Sequence, residues 1–304
     1  MSVLPDDNQA RRYAEAIGGH RGPAIPAAEL LKIYELFGGL DSFKELNLSH
    51  GWRYLRRELT GAVNFPVEKY RELVNSITKF SRDDVKDFAS SPHSVGDWVT
   101  FERLWSSFKD SFIWGLSHAE TFALVRHPKW ANSFSEELPM VHHDNCLAGQ
   151  GQNHYWCYKP VITHGDKLRE FYKEFKAEYE ARFDPDVLAT IRGEVLSLTE
   201  RSRETYAKSV LVSDIHWETL LTGKRPILNA VSQNRLLPEE FAYEIIKAHK
   251  TGSLRIDIAR NAGSKELLEY IWAGTTSKDI RSAVAGNALA ERYETHAELL
   301  SPWG

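Results

Sequence analysis

Between His142 and Asp166 the chain gathers imidazoles, thiols and carboxylates: His142, His143, Asp144, Cys146, His154, Cys157, His164 and Asp166. All three donor types bind zinc. His154 stands three residues before Cys157, and Cys146 meets both if the flanking segments pair as strands. His142, His143, Cys146, His154 and Cys157 are therefore the candidate metal ligands, zinc the candidate metal, and metal-assisted hydrolysis the reaction they would serve. Yet there is no Cys-x-x-Cys and no His-Glu-x-x-His, the spacings that bring donors together on one turn or one helix face. Ordinary hairpin histidines and two small buried thiols explain the same residues more simply, so no cofactor is the expectation. A Cys–His nucleophile, Cys146 or Cys157 with His143 or His154, needs a base within reach and a lowered thiol pKa. No helix start stands beside either cysteine to lower it.

Two other stretches suggest chemistry. Trp52-Arg53-Tyr54-Leu55-Arg56-Arg57 alternates rings with guanidiniums, a mixture that can stack bases and hold phosphates; a helix with a solvated basic face is the commoner explanation and the one favoured here. Gly149-Gln150-Gly151-Gln152 lacks the Lys-Ser/Thr of a phosphate-binding loop.

Composition narrows the choice. With 42% hydrophobic and 26% charged residues over 304 positions, the chain has enough apolar side chains to bury a core. The net charge of −4 disfavours broad nucleic-acid or anionic-membrane binding, and basic and acidic residues nearly balance from Arg201 onward. Two cysteines exclude a disulfide scaffold and point to a cytoplasmic setting. The first residues show no basic and apolar leader, so no signal peptide is expected. No apolar run nears the roughly 20 residues of a membrane span.

The elements that would position these residues are mostly helical. Asp6 or Asp7 caps a helix ending at Gly18-Gly19. Pro26 opens another, with Leu30, Leu31, Tyr34 and Phe37 on one face. Ser81 with Asp84 three residues on is a capping signal. Trp98, Phe101, Trp105 and Phe108 recur at helical spacing and predict one long helix over Asp97–Trp114. From Thr121 the pattern changes. Thr121–Val125, Leu138–His142 and His154–Tyr158 read as short strands, with Asn145–Asn153 as a turn region. Leu168, Phe171, Phe175, Tyr179 and Phe183 return to helical spacing, and Asp184-Pro185 opens the next helix.

Past Ser209 a repeat emerges. Ala230-Val231-Ser232-Gln233-Asn234, Asp257-Ile258-Ala259-Arg260-Asn261 and Ala283-Val284-Ala285-Gly286-Asn287 align with their asparagines 27 and 26 residues apart. A helical block follows each, and a fainter copy begins near Asp214. Units this short bury their apolar faces only by stacking. An asparagine at a helix end tolerates the left-handed conformation and can bond local backbone. Arg255 and Arg281 both stand six residues before their asparagines, where the first unit has Leu228.

The blocks Leu254–Ser264 and Arg281–Asn287 resemble the leucine-rich repeat variant family, whose units are paired short helices of this length. The usual proline after the asparagine is replaced by Arg235, Ala262 and Ala288. Some members carry an iron–sulfur cluster on a separate segment, for which two cysteines are too few. The middle is similar to an uncharacterised bacterial domain family of unknown function. The similarity lies in Trp114, Phe122-Ala123-Leu124-Val125, Pro128, Leu138, His143-Asp144, Ala148, Tyr155-Trp156 and Val161. That family's Gly-Pro is missing from the turn His142–Ala148, and the resemblance implies no activity.

The expectation is therefore a mainly α protein: a helical body over 1–118, a small β-containing module over 119–165, and a helical region over 166–304 ending in a repeat array from about 207 to 300. Its expected function is recognition of a macromolecule, a protein first, along the repeat surface, with Arg255, Arg260, Tyr270, Trp272 and Arg281 as contacts. Metal-assisted hydrolysis at the His/Cys cluster and nucleic-acid binding are the alternatives. No membrane partner is expected.

Overall fold

A computed structural model describes residues 5–20, 24–45, 48–125, 168–249 and 252–287, and every described element is helical. The helices are α1 (Asp7–Gly18), α2 (Ala27–Leu36), α3 (Gly39–Phe43), α4 (His50–Gly61), α5 (Val67–Ser76), α6 (Arg82–Ala89), α7 (Trp98–Ser107) and α8 (Lys109–Val125). After the undescribed segment come α9 (Leu168–Glu180), α10 (Pro185–Glu194), α11 (Glu200–Lys208), α12 (Trp217–Leu221), α13 (Arg225–Gln233), α14 (Glu239–Ala248), α15 (Gly252–Asn261), α16 (Lys265–Ala273) and α17 (Lys278–Ala285). Among the described residues no helix is long and apolar enough to cross a membrane.

Local signals set several helix starts. Asp6 caps α1 and closes a reciprocal box with Gln9, Ser81 does the same for α6 with Asp84, and Asp184 accepts from the Asp186 N–H at the start of α10. Each box satisfies backbone donors that a helix start leaves unpaired.

Two expectations fail. The long helix over Asp97–Trp114 is broken at Phe108, whose extended backbone (φ −153°, ψ 85°) ends α7. There the Ser106 and Ser107 hydroxyls both turn back to the Arg103 carbonyl. The break lets Phe112 on α8 meet Phe101 and Trp105 edge-on, at 5.3 and 5.6 Å between ring centres. Thr121–Val125 is not a strand but the last turn and a half of α8. Extending an existing helix needs no new nucleus, and that outweighs the few tenths of a kcal/mol by which β-branched residues disfavour it. The small β module therefore loses its first strand, and no strand occurs among the described residues. Leu138–His142 and His154–Tyr158 lie outside them.

The chain forms two compact units. One comprises Met1–Ala119 and Glu180–Tyr206, the other Glu120–Tyr179 and Ala207–Gly304. In the first, α1 lies along α4, and Leu30, Tyr34, Phe43, Leu55, Tyr70 and Phe88 are sealed in its core. Arg56, 3% exposed, crosses that core to ion-pair with Asp84 and donates to the Phe43 carbonyl at 3.2 Å. Burial pushes the Asp84 carboxyl up, but Arg56 and the Ser81 hydrogen bonds outweigh it and hold it below its ordinary value.

Helix α8 crosses α6 so closely at Gly115 that a Cβ there would lie 2.5 Å from the Ala89 Cβ and 2.6 Å from the Lys86 carbonyl oxygen. Gly115→Ala is expected to destabilise the protein by about 1–3 kcal/mol through overpacking. Gly193→Ala, where a Cβ meets nothing within 4 Å inside α10, should add about 0.5–1 kcal/mol by improving helix propensity. Urea unfolding of the two variants checks both signs.

Candidate functional site

The repeat array lies in the second unit. Its helices pack in two layers: α13, α15 and α17 lie one against the next, as do α12, α14 and α16. The apolar pairs Ile227/Val231, Leu254/Ile258 and Ile280/Val284 are buried at the same register in three successive helices, each four residues apart and so on one helical face. Two devices bind the stack at helix ends, where the last carbonyls of a helix have no partner of their own.

The first device is the asparagine. Asn234 donates its side-chain amide to the Ala207 and Ser209 carbonyls at 2.8 and 2.9 Å. Asn261 reaches Gln233 at 3.2 Å and its own helix at Asp257. Asn287 reaches Ala259, Arg260 and Ala262 at 2.8, 3.3 and 3.2 Å. The amide thus crosses to the preceding helix end in addition to the local backbone bonds expected of it at Asn234 and Asn261. Asn234 itself is extended (φ −77°, ψ 123°), and its oxygen accepts the Leu236 N–H at 2.8 Å.

The second device is the arginine. Arg255 donates to the Ile246 and Gly274 carbonyls at 3.1 and 3.3 Å, beside the C-termini of α14 and α16. Arg281 donates to Thr275 at 3.2 Å and lies over the Trp272 ring at 5.0 Å. Cations suit these electronegative helix ends. Of the five expected contacts, Arg255, Trp272 and Arg281 are thus tied to the array itself. Arg260 is exposed on the layer of α13, α15 and α17.

Tyr270 is different. It is 40% exposed on α16 and meets Tyr243 of α14 edge-to-face, with ring centres 5.0 Å apart at 73°. Glu239 and Glu266 stand four residues before the two tyrosines, and each member of one Glu–Tyr pair lies 27 residues from its counterpart. Partial burial and the fields of Glu239 and Glu266 push the Tyr243 phenol up. Sequence reasoning named Tyr270 and missed Tyr243; the shared 27-residue step is the signal that finds it.

No family model, curated protein or solved structure matches this chain.

His142, His143, Cys146, His154 and Cys157 lie outside the described residues. Among those described, no three His, Cys, Asp or Glu side chains are grouped to hold a metal ion. The arginines of Trp52–Arg57 are all engaged: Arg53 with Asp83 and Asp87, Arg56 with Asp84, and Arg57 with Glu58. Trp52 is packed between Phe37 and Phe43.

A buried loop ahead of the array carries the most displaced carboxyl. Ser209–Val212 is buried without regular structure, so its backbone needs side-chain partners. Glu120 accepts the Val210 N–H at 2.9 Å, Lys176 donates to the Val212 carbonyl at 2.6 Å, and Asn234 holds the Ser209 carbonyl. The other Glu120 oxygen is buried with no partner among the described residues, and desolvation pushes its carboxyl up to about 8.

Two outcomes follow. Asn234→Ala and Asn287→Ala should each cost about 2–4 kcal/mol in urea unfolding, because they strand buried carbonyls; Gln233→Ala, at an exposed position, should change stability by under about 0.5 kcal/mol. Because the folded Glu120 holds its proton above the unfolded value, its stabilising neutral form is complete below the ordinary carboxyl range and lost as pH rises to about 8. Glu120→Gln keeps the acceptor and removes the titration. Relative to wild type it should gain stability steadily from about pH 5 to pH 9, by a few kcal/mol in all, in unfolding curves collected across that range.

Proposed function

We propose that this chain recognises another protein through the exposed face of α14 and α16, with Tyr243 and Tyr270 as its anchors. The observation that carries the reading is the recurrence of a Glu–Tyr pair at the same 27-residue step as Asn234 and Asn261, with Tyr270 exposed and Tyr243 half-buried against it. Core positions recur because stacking requires it. An aromatic pair with Tyr270 exposed is not required by the stack, since the buried residues and helix-end bonds already close it. Tyrosine offers a large, rigid contact area at low entropic cost and is enriched where proteins meet.

The resemblance to leucine-rich repeat variant units supports the same reading, because such arrays present extended faces to macromolecules. The remaining contacts narrow accordingly: Tyr270 stays, Tyr243 joins it, and Arg255, Trp272 and Arg281 act by holding the face in shape.

A photo-crosslinking residue at position 270 of the full chain tests this in an extract of the source cells. The expected result is a discrete crosslinked protein, with yield at least about tenfold lower when Tyr243→Ala is added, as for the loss of one interface anchor. The same crosslinker at Val63, exposed in the first unit, should not capture it. Equal capture from both positions, or none from position 270, removes the reading.

A further inference from the structure

Resting on that reading, we infer that the partner presents a segment rich in lysine or arginine, whose cations lie against the paired tyrosine rings between the glutamates of α14 and α16. Three observations carry this. Tyr270 is exposed with the half-buried Tyr243 against it, and the electron-rich ring faces of tyrosine attract cations, more strongly as water is excluded. Glutamates outnumber lysines on both helices: α14 carries Glu239, Glu240 and Glu244 against Lys247, and α16 carries Glu266 and Glu269 against Lys265. A basic segment thus meets an attractive field and a nucleic-acid backbone a repulsive one. Finally, the chain's own Arg169 places its guanidinium 3.7 Å from Glu239, so this edge of the face already accepts an arginine.

The two repeats set a spacing for the partner. Glu–Tyr pairs 27 residues apart on successive units offer two subsites, that of Glu266 and Tyr270 the more exposed, so a segment with at least two basic residues engages both and gains from their linkage. Aromatic rings also explain why the surface is more than a generic acidic patch: the carboxylates supply long-range attraction, and the rings supply a contact that survives salt better.

The test uses the full chain and a fluorescein-labelled twelve-residue probe with four arginines spaced by Gly-Ser, followed by anisotropy; a second probe has glutamate at the four arginine positions. The arginine probe should bind and the glutamate probe should not. Tyr243→Leu/Tyr270→Leu leaves the charge unchanged and should weaken binding about tenfold, whereas Tyr243→Phe/Tyr270→Phe should stay within about twofold. A thermal melt of each variant establishes folding, and the single Tyr270→Leu at the more exposed site should show an intermediate loss. Absent binding of the arginine probe, or equal binding by the wild-type and folded Leu variants, overturns the inference. If the probe fails while the crosslinker at position 270 still captures a protein, recognition by this face stands and only the basic class of partner falls.

Discussion

The amide of an asparagine, reaching back 25 to 29 residues to the carbonyls of the preceding helix end, is the interaction on which the array depends. A helix ends with carbonyls that its own turns leave unpaired. In a stack of short helices such ends are frequent and many are buried, so each needs a donor from elsewhere. Asparagine supplies two N–H groups on a short, stiff stem, little of whose freedom is lost on ordering. Arg255 and Arg281 meet the same need at the ends of α14 and α16 with a longer reach.

The same constraint explains the loop ahead of the array. Ser209–Val212 is buried yet belongs to no helix, so three separated side chains, from Glu120, Lys176 and Asn234, satisfy its backbone. Asn234 serves both the loop and the first step of the stack. Glu120 carries the disadvantage of this arrangement: a carboxyl that works as an acceptor while neutral becomes an isolated charge when ionised. In the first unit, Arg56 and Asp84 show the opposite solution, a core charge stabilised by its opposite and by backbone contacts.

Tyr243 and Tyr270 stand apart from this economy of polar groups. The stack is closed without them, and their pairing across α14 and α16 follows from two successive units lying side by side. A Glu–Tyr pair copied at the period of the core is what the proposed recognition role of this face rests on.

Helix starts at Asp6, Ser81 and Asp184 and the 27- and 26-residue steps of the asparagines could all be read from the sequence. These depend on neighbours within one turn, or on a period that repeats itself. Thr121–Val125 is a short, mostly apolar run that suits either state, and the preceding helix decided between them. Likewise only the tertiary structure decided what Asn234 and Asn287 donate to, which arginines are tied to helix ends, and that Tyr243 meets Tyr270. The sequence by itself determined the capped helix starts and the period of the repeat, because those are local quantities. Stacking decided the partners, because each lies on another helix and exists as a contact only after the units have packed.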